Sequence, residues 1–231
     1  MNQLSVNQST ASDRILIVEG YDESAFCKVF LNHLGINDVT LINAESKDKI
    51  KSEIESLLNN RSKVNPKPMK IGIMMDADDN KALDRYNGWV GQIKELSKIK
   101  IPKKRIGTFS QPDTTGLSFG VYITPHPNEG KMIEDLCLAT VSPEKITCLN
   151  DYVACCQFSD DELTFPKRKM RIFLATYDSL EATEMLREGK SIKREKIDRL
   201  EYANHQNLWD FDHPNLSDLK AFLLSFALDN I

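Results

Sequence analysis

The sequence predicts an α/β fold, with a mostly parallel four-stranded sheet, helices on both faces and a C-terminal helical annex. Short apolar runs alternate with helical patterns between Arg14 and Thr124, which is typical of parallel strands buried on both faces. After the last strand only helical patterns remain. We therefore expect a flexible tail over residues 1–12, a core domain over 13–141 and a helical annex over 142–231 that packs on the core.

Four apolar runs are predicted as strands: Arg14–Val18, Val39–Ile42, Lys70–Met75 and Val121–Thr124. Apolar residues at helical spacing follow each of the first three runs, and the first helix is expected to end at Gly35. In the annex a helix begins at Ser142-Pro143, and further helices are predicted over Lys169–Asp178, Leu180–Arg187, Lys193–Asn204 and Ser217–Leu228. Right-handed crossovers between parallel strands then bring the carboxyl ends of the strands to one edge.

Composition narrows the class of protein. No apolar run approaches the roughly 18–20 residues that a membrane-spanning helix requires, so no membrane association is expected. The five cysteines form no CxxC pair and are interpreted as reduced thiols of a cytoplasmic protein. The net charge of −4 argues mildly against nucleic-acid binding by the whole surface. Local basic clusters at 98–105, 167–171 and 190–199 still allow it at one rim.

Acidic residues follow two of the predicted strands directly. Glu19 comes after the first strand, in Val18-Glu19-Gly20-Tyr21-Asp22, and Asp76 and Asp78 come after the third. Ligands of open parallel sheets bind at the carboxyl ends of the strands, and Mg²⁺ prefers oxygen ligands. A single DxD pair after a strand often only caps the next helix, but the two motifs together predict a site for Mg²⁺ or Mn²⁺ at Glu19, Asp76 and Asp78. Asp22 is an additional candidate.

The segments VEGYD and MMDAD resemble the Toprim motifs shared by topoisomerases, bacterial primases, RecR-type repair proteins and OLD-family nucleases. The chain resembles in particular small stand-alone Toprim proteins related to the OLD group, a family catalogued as a domain of unknown function. The segments VYITPHPNEGKMIEDLCL and WDFDHPNLSDLKAFLLSF extend this resemblance over most of Arg14–Ile231. The resemblance implies a Rossmann-like Toprim fold, and it is more specific to the fold than to the reaction.

The resemblance also implies roles for single residues. Glu19 matches the Toprim Glu that is a metal ligand or general acid/base, and Asp76 and Asp78 match the DxD metal ligands. Glu134 matches a late acidic residue that helps to complete a second metal position, with Asp135 as the weaker candidate. From the residues alone, Glu134 could equally be a first-turn Glu favoured by the helix dipole.

A lysine that stabilises transition-state charge is expected late in such chains, and Lys169 is our choice, with Lys167 as the alternative. The implied function is a metal-dependent nuclease that cleaves DNA or RNA. Stand-alone Toprim proteins of this kind often act with an ATPase partner in defence against phages, so such a partner is expected by analogy. A homodimer is left open.

Several other interpretations are weaker. DADDN lacks the acidic-Gly pattern that follows the DxD of topoisomerases and primases, and no zinc ribbon or Tyr-bearing cleavage domain is present. RILIVEG also resembles the start of receiver domains, but Gly20 occupies their second acidic position. Residues 188–191 imitate the end of a P-loop, but Glu184 stands where the motif needs Gly. A non-catalytic Toprim module that binds metal, nucleic acid or protein remains the main alternative to the nuclease.

Overall fold

The computed structural model describes residues 13–61, 67–78, 80–97, 106–126, 132–156, 167–175 and 208–226. The predicted N-terminal tail and the predicted helices at 180–187 and 193–204 lie outside these ranges. None of the helices within them is both long enough and apolar enough to span a lipid bilayer.

Four strands form one sheet in the order β2-β1-β3-β4, and every neighbouring pair is parallel. The strands are β1 Arg14–Val18, β2 Thr40–Asn43, β3 Met69–Asp76 and β4 Leu117–Thr124. The predicted α/β class with a parallel four-stranded sheet is therefore confirmed.

The described helices are α1 Tyr21–His33, α2 Lys47–Asn60, α3 Ala82–Ser97, α4 Ile133–Leu138, α5 Pro143–Cys155, α6 over residues 167–175 and α7 Ser217–Leu224. A 3₁₀ turn at Pro214–Leu216 leads into α7. Gly35 follows α1 with a φ of 70°, as expected for a glycine that ends a helix.

The strands bury side chains on both faces, and a different set of helices covers each face. Leu16 and Val18 of β1 point into a core that also contains residues of α1 and α4–α7. Ile15 and Ile17 point to the opposite side, into a core shared with α2 and α3. Because successive side chains of a strand alternate between faces, a continuous apolar run such as RILIV fits this three-layer arrangement.

β4 begins four residues earlier than predicted, because glycine interrupts its apolar pattern. Gly120 lies opposite Gly72 of β3, and the two leave a gap on one face of the sheet. Rings from the C-terminal segment fill this gap: a Cβ on Gly72 would lie 2.4 Å from Phe226 Cζ, and one on Gly120 3.0 Å from Phe222 Cε2. Lys70 Nζ donates a hydrogen bond of 2.6 Å to the Ser225 carbonyl beside it. The C-terminal segment thus completes the core.

The strand order places a topological switch point between β1 and β3. The chain leaves β1 towards β2 on one side and returns to β3 on the other, so the connections diverge between these two strands. In open parallel sheets the crevice at the carboxyl ends of such strands is the usual ligand site. The residues that follow β1 and β3 are therefore brought together by topology.

Candidate functional site

Glu19 is the first residue after β1, and it is held beside the end of β3. Its backbone N–H donates to the Met74 carbonyl at 3.2 Å, which extends the parallel pairing past the end of the strand. Its carboxyl lies within hydrogen-bonding reach of the Asp76 backbone N–H. Glu19 Oε2 is buried and has no hydrogen-bond partner. This oxygen is therefore available to a ligand.

Asp76 is the last residue of β3 and lies opposite Thr124 of β4. Its Oδ1 accepts a hydrogen bond of 2.9 Å from the backbone N–H of Ile133, the first residue of α4. An unpaired N–H at a helix N-terminus carries partial positive charge, so this bond favours an ionised Asp76. It also fixes the start of α4, and with it Glu134, at the end of β3.

Glu23 belongs to the same group, although the sequence analysis did not select it. It lies in the first turn of α1, and its carboxyl shares a hydrogen bond with that of Asp76. Gly20 makes room for it, because a Cβ at position 20 would lie 2.9 Å from Glu23 Oε2. Glu23 precedes Phe26 and Phe30 on the buried face of α1. A charged residue on that apolar stripe was the signal that could have identified it.

Glu134 lies in the first turn of α4 and completes what we call the carboxyl cluster: Glu19, Glu23, Asp76 and Glu134. Lys167 of α6 approaches it, with 3.9 Å between Lys167 Nζ and Glu134 Oε1. Glu134 Oε2 is buried without a hydrogen-bond partner. Three members of the cluster are almost inaccessible, with 5% of Glu23, 4% of Asp76 and 3% of Glu134 exposed.

Burial and mutual repulsion favour protonation of the cluster. Burial raises the pKa of Glu134 to about 7. Burial, followed by the charges of Glu23 and Glu134, raises the pKa of Asp76 well above its ordinary value. The pKa values of Glu19 and Glu23 are also raised, chiefly by burial. A buried carboxylate is unfavourable unless a cation or hydrogen-bond donors compensate it. The cluster therefore prefers either protons or a cation.

Of the two candidate lysines, Lys167 is the one that lies at the cluster. Burial alone would lower its pKa, but the charges of Glu134, Glu23 and Asp76 outweigh this effect and raise it. Lys169 lies on the same helix, and no contact between it and the cluster is present in the described part of the chain. The alternative choice, Lys167, thus has the placement that was expected of Lys169.

Asp78 is not directed to the same position as Asp76. Its backbone adopts a φ of 55°, in the left-handed region, and this turns the chain away from the strand direction. Its Oδ2 instead pairs with Arg85 at 3.0 Å and with Lys47 at 3.5 Å. Asp78 remains near enough to contribute to the raised pKa of Glu19. It therefore lies at the edge of the cluster, bound to two cations.

The two additional candidates differ from one another. Asp135 accepts a hydrogen bond of 3.2 Å from the Met132 backbone N–H at the start of α4, a capping interaction. Asp22 is partly buried in the first turn of α1, and its charge contributes to the raised pKa values of Glu23 and Glu134. Asp22 thus borders the cluster, whereas Asp135 is engaged in holding α4.

The donor set of the cluster fits a hard divalent cation. All its donors are carboxyl oxygens, and two of them, on Glu19 and Glu134, are buried and unpaired. The fit requires rearrangement, since no three His, Cys, Asp or Glu side chains within the described ranges already converge on one ion position. Because the pKa values of Glu23 and Asp76 are raised, a cation that bound either carboxyl group would displace protons from this pair.

Fold and site together define an α/β protein with buried carboxyl groups at the switch point of a parallel sheet. Comparison with protein families gives one match, to the family described as Protein of unknown function (DUF3226), over residues 13–228. The chain belongs to this family. No curated protein and no solved structure gives a significant match.

Proposed function

We propose that this protein is a Mg²⁺- or Mn²⁺-dependent nuclease that hydrolyses phosphodiester bonds in DNA or RNA. The observation that supports the proposal is the carboxyl cluster itself. Four carboxyl groups, one directly after β1 and the others in α1, β3 and α4, are gathered at one edge of the sheet, and Lys167 lies beside them. Strongly perturbed carboxyl groups in a ligand-binding crevice are a mark of functional sites.

The cost of the cluster is the reason to assign it a function. A structural core at this position would be more stable with apolar or amide side chains, since burying several carboxyl groups together destabilises the fold. A divalent cation would neutralise that repulsion and use the unpaired oxygens of Glu19 and Glu134. A cation site is therefore the use that best explains why acidic residues occupy these positions.

In the proposed mechanism Asp76, Glu134 and Glu19 hold the cation, which when bound supplies charge neutralisation and Lewis-acid polarisation at a phosphate group. Asp76 is oriented for this by the Ile133 N–H. The carboxyl group of Glu19 has a raised pKa, so its oxygen that does not hold the cation is suited to accept the proton of an attacking water. Lys167 Nζ donates to a phosphate oxygen and stabilises the charge that develops there.

The resemblance to stand-alone Toprim proteins related to OLD-family nucleases supports the same assignment, because Glu19, Asp76, Asp78 and Glu134 are the positions that match their motifs. By the same analogy, an ATPase partner and a role in phage defence belong to the proposal. A cytoplasmic location also belongs to it, from the interpretation of the cysteines as reduced thiols.

The test is a cleavage assay on supercoiled plasmid, single-stranded DNA and total RNA with Mg²⁺, Mn²⁺ or EDTA. We expect cleavage that requires the cation and that falls at least about a hundredfold in Asp76→Asn and Glu134→Gln. Asp151→Asn and Glu55→Gln change exposed residues on α5 and α2 and serve as matched controls. Cleavage by the wild type that persists in EDTA would contradict the proposal. Cleavage by the cluster variants at the wild-type rate would contradict it as well.

A non-catalytic metal- or nucleic-acid-binding module is the second candidate. The observation that favours it is that the described carboxyl groups do not already converge on one ion position. Titration of Mn²⁺ followed by electron paramagnetic resonance separates the two. Cation binding that Asp76→Asn abolishes, together with intact substrates under all conditions, selects the module.

A further inference from the structure

A second feature lies next to the carboxyl cluster, on the face of the sheet that α2 and α3 cover. It is a cleft of about 480 Å³ between these two helices. Its walls include Lys47 and Lys51 of α2, and Arg85, Gly88, Trp89 and Gln92 of α3. We call it the α2/α3 cleft. Its volume lies within the roughly 300–1,000 Å³ typical of sites for small ligands.

We propose that the α2/α3 cleft binds the phosphate backbone of a nucleic-acid strand. A neighbouring phosphodiester bond of the same strand then lies at the carboxyl cluster. The inference rests on the proposed function, which it extends by naming where the strand is held. Lys47, Lys51 and Arg85 are the phosphate-contacting residues, and Trp89, which is almost fully buried in the core, also lines the cleft.

Asp78 connects the cleft to the cluster. One oxygen, Oδ2, pairs with Arg85 from α3 and with Lys47 from α2, so both cations lie at the same end of the cleft. The charge of Asp78 raises the pKa of Glu19, and the charge of Arg85 lowers it. This end of the cleft is therefore within electrostatic range of the cluster. A nucleic-acid strand that passes over Asp78 would therefore contact the carboxyl cluster on one side and Lys47 and Arg85 on the other.

The basic side chains of the cleft still have hydrogen-bond donors or charge available to bind an anion. Arg85 Nε is buried without a hydrogen-bond partner, and the Arg85 side chain is only 14% exposed. Lys51 has no ion pair with any of the described residues. Two carboxylates, Asp48 and Asp84, also line the cleft, but both are exposed and therefore screened by solvent. Guanidinium and ammonium groups around such a space are the chemistry that recognises phosphate.

Gly88 shows that space in the cleft is retained. It lies in the middle of α3, where glycine weakens a helix, yet a Cβ there would meet no atom within 4 Å. Packing against the rest of the protein therefore does not require the glycine. A side chain at position 88 would instead occupy the cleft that this residue lines. Gly91 is also in α3 and equally unobstructed, but it does not line the cleft.

The pair of glycines provides the test. Binding of a fluorescein-labelled single-stranded oligonucleotide to the full chain is measured by anisotropy, in EDTA and in Ca²⁺, for Gly88→Gln and Gly91→Gln. Both substitutions raise helix propensity equally, so both variants should fold. We expect Gly88→Gln to weaken binding about tenfold or more and Gly91→Gln to leave it unchanged. Equal affinities for the two variants would overturn the inference.

Charge gives an independent measurement. Lys51→Gln should reduce the slope of log affinity against log salt concentration by about 0.7, as expected when one phosphate contact to a single strand is lost. Lys145→Gln, on exposed α5 across the sheet, should leave the slope unchanged. An unchanged slope in Lys51→Gln overturns the inference, as does failure of the wild type to bind any oligonucleotide. If a mononucleotide displaced the labelled oligonucleotide as well as an unlabelled oligonucleotide at equal phosphate concentration, the cleft would not be a site for a nucleic-acid strand.

The binding assay distinguishes failure of the inference from failure of the proposed function. Cation-dependent cleavage combined with equal binding by the two glycine variants would refute the cleft and leave the nuclease standing. Loss of binding in Gly88→Gln without cleavage under any condition would support the cleft and refute the nuclease.

Discussion

The carboxyl groups of Glu23 and Asp76 share a hydrogen bond in the interior of the protein, although both side chains are acidic. Two buried carboxylates this close repel each other, and burial raises the pKa values of both, so the pair favours holding a proton when no cation is bound.

Glu23→Gln should stabilise the cation-free protein and weaken its response to cations. The amide keeps the shape and the hydrogen bond to Asp76 but removes one charge from the cluster. We expect the free energy of unfolding in EDTA at pH 8 to rise by about 1–2 kcal/mol, and the stabilisation by Mn²⁺ to fall. Urea denaturation with and without Mn²⁺ measures both effects. If Glu55→Gln, at an exposed site, gave the same gain, the cluster would not be the cause.

The stability of the cation-free protein should decrease as the pH rises from about 4.5 to 7. The pKa of Glu134 is 4.5 as an ordinary glutamate and about 7 in the folded protein. In this window the folded state binds more protons than the unfolded state, so raising the pH destabilises the fold, by up to about 3 kcal/mol from this group. Urea denaturation at several pH values in EDTA measures the decrease. Glu134→Gln should flatten it, and a saturating divalent cation should oppose it; a profile identical in wild type and variant would contradict the assignment.

Lys167→Met should lower the rate of cleavage far more than Lys169→Met. Lys167 Nζ lies 3.9 Å from Glu134 Oε1, and its charge lowers the pKa of Glu134. We expect kcat to fall about tenfold to a hundredfold in Lys167→Met. The basic limb of the pH–rate profile should also shift in this variant. Lys169→Met is the matched control on the same helix. A larger loss in Lys169→Met would restore the choice made from the sequence.

Gly72→Ala should destabilise the fold by about 1–3 kcal/mol, the cost of overpacking a filled core. The added methyl group would lie 2.4 Å from Phe226 Cζ. Phe226→Leu should cost less in the Gly72→Ala background than in the wild type, because the shorter side chain relieves the contact. Thermal unfolding of the two single variants and the double variant measures the coupling. Additive effects would show that the ring is not the obstacle.

The sequence was sufficient to predict the sheet and, together with the family resemblance that pointed to Glu134, three of the four residues of the cluster. Apolar runs defined the strands, and the carboxyl ends of parallel strands share one edge, so Glu19 and Asp76 could be placed together. The start of β4 was placed too late because Gly120 interrupts its pattern, and the space opposite Gly72 depends on rings more than 100 residues later in the chain.

The remaining site residues depended on properties that local patterns do not contain. Asp78 was predicted to bind beside Asp76, but a left-handed backbone at that residue turns it to Arg85. Glu23 was missed because the acidic residues were selected in motifs that directly follow strands, whereas Glu23 lies in the first turn of α1. The choice between Lys167 and Lys169 depends on how α6 packs, which sequence spacing alone cannot decide.

The bond between Lys70 and Ser225 joins residues that are 155 positions apart. This bond and the rings that fill the gap at Gly72 can form only when α7 packs on the sheet. Contacts between distant parts of a chain form slowly, because the loop that separates them must close first. Until α7 arrives, the middle strands of the sheet expose an apolar surface to other molecules, and a chaperone that shields such surfaces should raise the yield of refolded protein.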